Sequence, residues 1–205
     1  FEIEEDQLAA ALESLQILGI TGANITIPYK QDFIPLLHKL SPLAERLNSV
    51  NTIKNVAGTF EGHNTDYDGI ALTFHLKNWD VKGKQTYILG SGGASLAIAH
   101  YFKDQGAASI TIVSRSASEM TGPWEYIDYM ELKERSGDFL VNCTPIGMYP
   151  NVNASPVDAA LIAKFSHLFD MTYNPAVTTF LKIGNDFGKD TVNGLDMLVG
   201  QAIRS

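Results

Sequence analysis

The feature that most restricts the fold is a run of glycines set between two patterns of different period. Residues 86–89 form a short apolar strand pattern, Gly90-Ser91-Gly92-Gly93-Ala94-Ser95 follows at once, and a helical pattern continues to about residue 105, where Gly106 stops it. A second strand pattern covers residues 109–113. This is the alternation of an α/β sheet. Its glycine turn lets backbone approach a pyrophosphate, with free N–H groups and the positive helix end aimed at it. The full fingerprint has a third glycine three positions past Gly92; Ser95 stands there, so the match is to G-x-G-G-A. Alone, such a run is also compatible with a tight strand-to-helix turn that holds nothing.

The rest of the chain supports the same class. Further strands are expected at residues 139–142, 167–171 and 190–192, with helices after Ser155-Pro156 and Asn174-Pro175 and a last helix from Gly194. Ahead of the glycine run the pattern differs. Residues 4–18 place Leu8, Leu12 and Leu15 on one helical face with Gly19 just past the end. Residues 23–27 alternate as a strand that stops at Pro28, and Ser41-Pro42 reads as the cap of a short helix through Leu47. A hairpin of residues 50–54 and 59–63 turns on Asn55-Val56-Ala57-Gly58, and Asn64-Thr65-Asp66-Tyr67-Asp68-Gly69 leads into a helix reaching about Asn78. Val81-Lys82-Gly83-Lys84 is the expected linker between the two patterns, and the stretch after Arg115 is short for a helix plus a third strand.

Composition narrows the partners. With 15 basic against 23 acidic residues the net charge of -8 repels phosphate backbones and anionic lipid, which argues against nucleic-acid and membrane partners. The single cysteine, Cys143, has no second thiol for a disulfide or a zinc site, which fits a reducing cytoplasm. The five histidines show no metal-ligand spacing, so no metal is expected, and Tyr67, Trp79 and Trp124 read as core or interface aromatics. The chain opens on Phe1 rather than Met, the mark expected of a fragment.

Two constellations carry chemistry. The second strand of the alternating unit ends in Ser114-Arg115-Ser116, where a dinucleotide site that reads an unphosphorylated ribose places a carboxylate. A guanidinium between hydroxyls suits a 2′-phosphate, although Glu119 lies close and a solvated surface arginine is the alternative. In the first part of the chain Thr26, Lys30, Asn51, Asn64, Thr65 and Asp66 all fall at strand ends or helix starts, and such ends converge on a cleft. An ammonium beside a carboxylate exchanges a proton with an alcohol while hydride leaves the same carbon. Read singly, Lys30 is a loop lysine and Asp66 a helix cap.

Seven stretches in order resemble the shikimate dehydrogenase family and its quinate relatives: residues 22–30, 49–53, 64–69, 89–94, 141–148, 170–175 and 193–202. The resemblance implies an NADP-dependent enzyme, with NAD as a second option, that interconverts 3-dehydroshikimate and shikimate in aromatic amino-acid biosynthesis on the way to chorismate. It implies two α/β domains with a cleft between them: a substrate and catalytic domain at residues 1–80, a Rossmann-like cofactor domain at 81–192, and a closing helix at 193–205 that returns to the first. By motif, Lys30 and Asp66 are the catalytic pair, and Thr26, Asn51, Asp66, Tyr173 and Gln201 hold the substrate. Gly90, Ser91, Gly92, Gly93 and Ala94 hold the pyrophosphate, Ser114, Arg115 and Ser116 the 2′-phosphate, and Thr144, Met148 and Met197 the nicotinamide side. A monomer or homodimer is expected.

There are departures. The family's opening strand and Ser-x-Ser loop are absent before Phe1, and the closing helix ends at Ser205. Glu119 stands where many members carry a second basic residue, and Asp196 replaces a glycine. An S-adenosylmethionine-dependent methyltransferase shares the glycine turn but wants an acid where Arg115 stands. A paralogue that keeps the fold without turnover is disfavoured only by Lys30 and Asp66. Methylenetetrahydrofolate dehydrogenases share the two-domain plan but fit the motifs less well.

Overall fold

A computed structural model of the chain describes residues 3–205; Phe1 and Glu2, which the expected first domain includes, lie outside the described residues. Two sheets organise it. The first holds β1 (Gly22–Asn24), β2 (Lys39–Leu40), β3 (Thr52–Val56) and β4 (Thr59–His63) in the order β1-β3-β4-β2. β3 runs antiparallel to both β1 and β4, and β2 lies parallel to β4. The second holds β5 (Gln85–Leu89), β6 (Ser109–Val113), β7 (Glu125–Ile127), β8 (Gly137–Asn142), β9 (Phe165–Asp170) and β10 (Asp190–Val192). All six are parallel, in the order β10-β9-β8-β5-β6-β7. β5 has β6 on one side and β8 on the other, so the winding reverses there, and the crevice beyond its carboxyl end is where such sheets bind ligands.

Three differences from the sequence reading have physical causes. The strand expected over residues 23–27 stops at Asn24, with Ile25 N–H donating once more to the Asn51 carbonyl; beyond it Ile27 is exposed, so the alternation continues with no core to face. The hairpin turns on two residues rather than four. Ala57 and Gly58 both take positive φ, at 51° and 86°, the arrangement that matches strand twist, and Asn55 and Val56 stay in the ladder opposite Phe60 and Thr59. The third strand after Arg115 does form, as β7, because its connection shrinks to a single 3-10 turn at Ala117–Glu119.

The helices are α1 (Leu8–Ile17), α2 (Pro42–Leu47), α3 (Asp66–Lys77), α4 (Gly93–Asp104), α5 (Tyr129–Leu132), α6 (Ala159–Ile162), α7 (Thr179–Asp186) and α8 (Leu195–Arg204). α1 begins later than the pattern implies, after a 3-10 turn at Glu5–Gln7, and buries Leu8 and Leu12 as expected. Ser41 caps α2 by accepting from Ala44 N–H at 3.2 Å. α6 and α7 start at Asp158 and Thr178, a few residues beyond the Ser-Pro and Asn-Pro pairs, because those side chains accept the free first-turn amides.

The expected linker is not a free tether. Trp79 and Val81 are buried in a core cluster that joins Ile70 and Phe74 of α3, Met197 of α8, Ile98 and Phe102 of α4, and Phe139 and Phe169 of the parallel sheet. Phe74 sits among Trp79, Tyr101, Phe102, Phe139 and Phe169 at ring separations of 5.3–6.0 Å. Trp79 Nε1 donates to Asp190 at 2.7 Å. α3 and α8 therefore form a stem shared by both sheets. Gly69 and Gly200 let them touch: a side chain on Gly69 would run into the Met197 backbone, and one on Gly200 would lie 2.9 Å from the Gly69 Cα.

Candidate active site

Lys30 follows the loop that leaves β1, and its backbone carbonyl accepts from Val50 N–H at 2.8 Å, which ties that loop to the entrance of β3. Asp66 opens α3. Its backbone N–H donates to Asn64 Oδ1 at 3.0 Å, and the Asn64 amide donates to the Ser49 carbonyl. The two elements bring Lys30 Nζ to 2.6 Å from Asp66 Oδ2, with the side chains 16% and 3% exposed. Asn51 locks the other carboxylate oxygen, donating to Asp66 Oδ1 at 2.9 Å while its own Oδ1 accepts from Thr65 N–H at 2.9 Å. The same amide nitrogen lies 3.2 Å from Gln201 Oε1 of α8. Four residues expected at the substrate, Lys30, Asn51, Asp66 and Gln201, thus form one hydrogen-bonded cluster.

The other substrate candidates are exposed. Thr26 lies exposed in the loop after β1, and Tyr173 is 50% exposed after β9. Sequence reasoning missed Ser49, whose hydroxyl is buried without a hydrogen-bond partner, and Thr52, which donates to Asn51 Oδ1 at 3.1 Å. Ser49 carried no signal beyond its place beside Asn51. A groove of about 910 Å³ runs along β1 and β3 to Arg204 and Ser205 and meets the cluster through Thr52, Asn64 and Thr65.

Across from the cluster lies the carboxyl end of the parallel sheet. Gly90 takes φ +103°, where a side chain would be strained and would press on Thr144 at 3.2 Å. Gly92 caps α4 with no side chain, leaving the first-turn amides free, and a Cβ built on it meets nothing within 4 Å. That combination, open space over unpaired N–H groups at a helix start, fits the pyrophosphate of a dinucleotide. Gly93 is the point of contact between the halves: a Cβ there would lie 2.7 Å from Ser49 Oγ and 3.9 Å from Lys30 Cδ. The catalytic candidate and the phosphate turn are therefore neighbours.

The remaining cofactor candidates fall around this turn. Ser91, Ser114 and Ser116 form a chain of hydroxyls at 3.4 and 3.3 Å. Arg115 is exposed at the rim of a small pocket, about 180 Å³, shared with Ser118, Tyr126, Asp128 and Glu131. Thr144 is half-buried beside Gly90, and Met148 is exposed. Met197 is 8% exposed and packs mainly in the α3–α8 core, leaving little of it for a ligand.

Charge is handled differently on the two sides. Arg46 of α2 makes a two-pronged contact with Asp104 of α4 at 2.7 and 3.1 Å, and Tyr67 donates to the same carboxylate at 2.8 Å, a clamp between the halves. Burial, then the neighbouring Asp104 carboxylate, push the Tyr67 hydroxyl up to about 12, so it remains a donor. Burial likewise pushes the Cys143 thiol well above its ordinary range, which favours the neutral thiol. Asp170 is fully buried at the end of β9; burial raises its pKa against the pull of donors from Thr178, Thr172 and Asn142.

A buried lysine–carboxylate pair set against a phosphate turn at a winding reversal is the arrangement of a two-domain α/β oxidoreductase. Comparison with known proteins gives the family. The model of the shikimate dehydrogenase substrate-binding domain matches residues 1–53. A shikimate dehydrogenase (NADP+) of Clostridium beijerinckii is 39% identical over 209 residues, 100% of this chain and 77% of its own length. The crystal structure of shikimate dehydrogenase 1 from Peptoclostridium difficile, 44% identical, superposes with a TM-score of 0.95 over 100% of this chain and 77% of that one. A shikimate 5-dehydrogenase from Thermus thermophilus, solved with NADP(H) and shikimate, is 26% identical with a TM-score of 0.87 over 98% of this chain and 77% of its own. The chain belongs to the shikimate dehydrogenase family.

Proposed function

We propose that the protein catalyses the reversible NADP-dependent reduction of 3-dehydroshikimate to shikimate. The observation that carries the reading is the Lys30–Asp66 contact at 2.6 Å, held from behind by Asn51 and flanked by Gly93 of the phosphate turn. When bound, the reduced nicotinamide supplies hydride to the carbonyl carbon. Lys30 gives its proton to the carbonyl oxygen as that oxygen becomes an alcohol, and in the reverse direction takes it back. Asp66 holds the ammonium toward the reacting oxygen and accepts from a neighbouring substrate hydroxyl. Asn51, Gln201, Thr26 and Tyr173 line the substrate side. Gly90, Ser91, Gly92, Gly93 and Ala94 receive the pyrophosphate, Ser114, Arg115 and Ser116 the 2′-phosphate, and Thr144, Met148 and Met197 the nicotinamide side.

We keep the division at residues 1–80, 81–192 and 193–205, a reading supported by the presence of two separate sheets. No helix among the described residues is long and apolar enough to cross a membrane. The chain's single, unpaired cysteine fits our reading of a cytoplasmic enzyme, working as a monomer or homodimer. A second reading, that NAD also serves, is favoured by Glu131 and Asp128 in the Arg115 pocket, since carboxylates there oppose a 2′-phosphate. Following reduced-nicotinamide absorbance with shikimate or quinate, paired in turn with NADP or NAD, tests both. Turnover with shikimate and NADP is expected to exceed the other three combinations, and turnover with none would overturn the proposal.

A further inference from the structure

Asp170 is a carboxylate with no exposed surface and no cation within its hydrogen-bonded network, a placement that costs free energy unless something requires it. What surrounds it is three donors. Asn142 Nδ2 lies 3.1 Å and Thr172 N 3.0 Å from Oδ1, and Thr178 Oγ1 lies 2.6 Å from Oδ2. The Thr178 hydroxyl accepts from Leu181 N–H at the start of α7 and donates to Asp170. The Asn142 amide is likewise bonded on both sides, since its Oδ1 accepts both Thr144 N–H at 3.0 Å and Thr144 Oγ1–H at 2.7 Å, and its nitrogen also reaches the Ile146 carbonyl. A group that accepts and does not donate satisfies all three neighbours, and a carboxylate does this with its two oxygens.

We infer that Asp170 is a positioning residue for the cofactor: it fixes which way the Asn142 amide points, and through it the Thr144 loop that faces the phosphate turn at Gly90. An asparagine at 170 presents a nitrogen to at least one of the three donors. Where that donor is the Asn142 amide, the hold on Asn142 from this side is lost and only its bonds to Thr144 and Ile146 keep the loop in place. The inference rests on the proposed placement of Thr144 beside the nicotinamide, and the experiment separates the two.

Cofactor dissociation constants, read from quenching of protein fluorescence, and separate KM values for cofactor and shikimate are measured on the whole protein and on Asp170→Asn, Asn142→Ala, their double variant and Thr144→Val. Asp170→Asn is expected to raise Kd and KM for NADP about 10-fold, what losing one buried hydrogen bond does, with KM for shikimate within about two-fold. Asn142→Ala is expected to match it and the double variant to add little, because the two act in series. An Asp170→Asn variant that folds and binds NADP as the parent does overturns the inference. So does additivity, and so does an equal rise in both KM values, which a merely structural role produces. If Asp170→Asn fails to fold, unchanged NADP affinity in Asn142→Ala overturns it alone. If Thr144→Val leaves NADP affinity unchanged while Asp170→Asn weakens it, the placement of Thr144 is wrong and the relay through it falls as well.

Discussion

The two halves of the candidate active site are built in opposite ways. On the first sheet the polar groups are already spent on one another: Asp66 is bonded to Lys30 and Asn51, and Asn51 to Thr65, Thr52 and Gln201. On the parallel sheet the glycine turn offers unpaired amides and empty space. A proton-transfer site works by fixed geometry, so its side chains are locked in advance. A phosphate site works by unsatisfied backbone, so it needs side chains removed. Substitutions should therefore fail differently on the two sides.

The largest effect is expected at the reacting pair. Lys30→Ala and Asp66→Ala should each lower kcat by about 10²–10⁴-fold, the usual range for losing a positioned acid or base, with cofactor affinity unchanged. Lys30→Ala also leaves a carboxylate only 3% exposed without its cation, so thermal unfolding belongs beside the kinetics. A rise in KM alone would make Lys30 a binding residue and remove it from the chemistry.

On the cofactor side Gly92→Val is the severe change. No protein atom lies within 4 Å of its Cβ position and its φ is an ordinary -78°, so folding should survive by circular dichroism while cofactor affinity falls by about 10²-fold or more. Parental affinity in that variant would remove the pyrophosphate from this turn. Arg115→Ala should cost about 10-fold in NADP affinity and almost nothing with NAD, the loss of one charge-assisted contact. Equal losses for both cofactors would mean that Arg115 does not read the phosphate.

The smallest effect probes where the halves meet. Gly93→Ala brings a methyl to 2.7 Å from Ser49 Oγ, and kcat should fall about 3–10-fold as Lys30 is pushed from the turn. Adding Ser49→Ala leaves the Ser49 Cβ, at 3.5 Å, as the next atom, an ordinary contact, and should restore most of the rate. No rescue would mean that the methyl meets the cofactor rather than the first sheet.

Much of this contrast was legible in the sequence, for different reasons on each side. The glycine turn, β6 and the Ser41 cap follow from local chemistry, because glycine positions and capping hydroxyls act within a few residues. The pairing of Lys30 with Asp66, 36 positions apart, is set by the loop bonded to Val50 and by Asn64 at the start of α3; the family resemblance named the pair, while the residues themselves showed only a crowding of polar groups at element ends. β2 escaped notice because two residues carry no alternation to read, and β7 because the connection before it is a single 3-10 turn where the alternation leads one to expect a helix. The packed connection at Trp79 and Val81 was hidden for a related reason. Its Gly83 and lysines read as a linker, and burial there depends on α3, α4 and the parallel sheet arriving from elsewhere in the chain.

The claim that the locked cluster acts as one device is tested most directly by the double variant Lys30→Ala/Asp66→Ala against each single variant, with kcat measured at saturating shikimate and NADP. Groups that act as a unit lose their effect together, so the double variant should be within about three-fold of the worse single one. Losses that multiply would show two independent contributions, and the 2.6 Å contact between Lys30 and Asp66 would then be a structural ion pair beside the chemistry rather than the group that performs it.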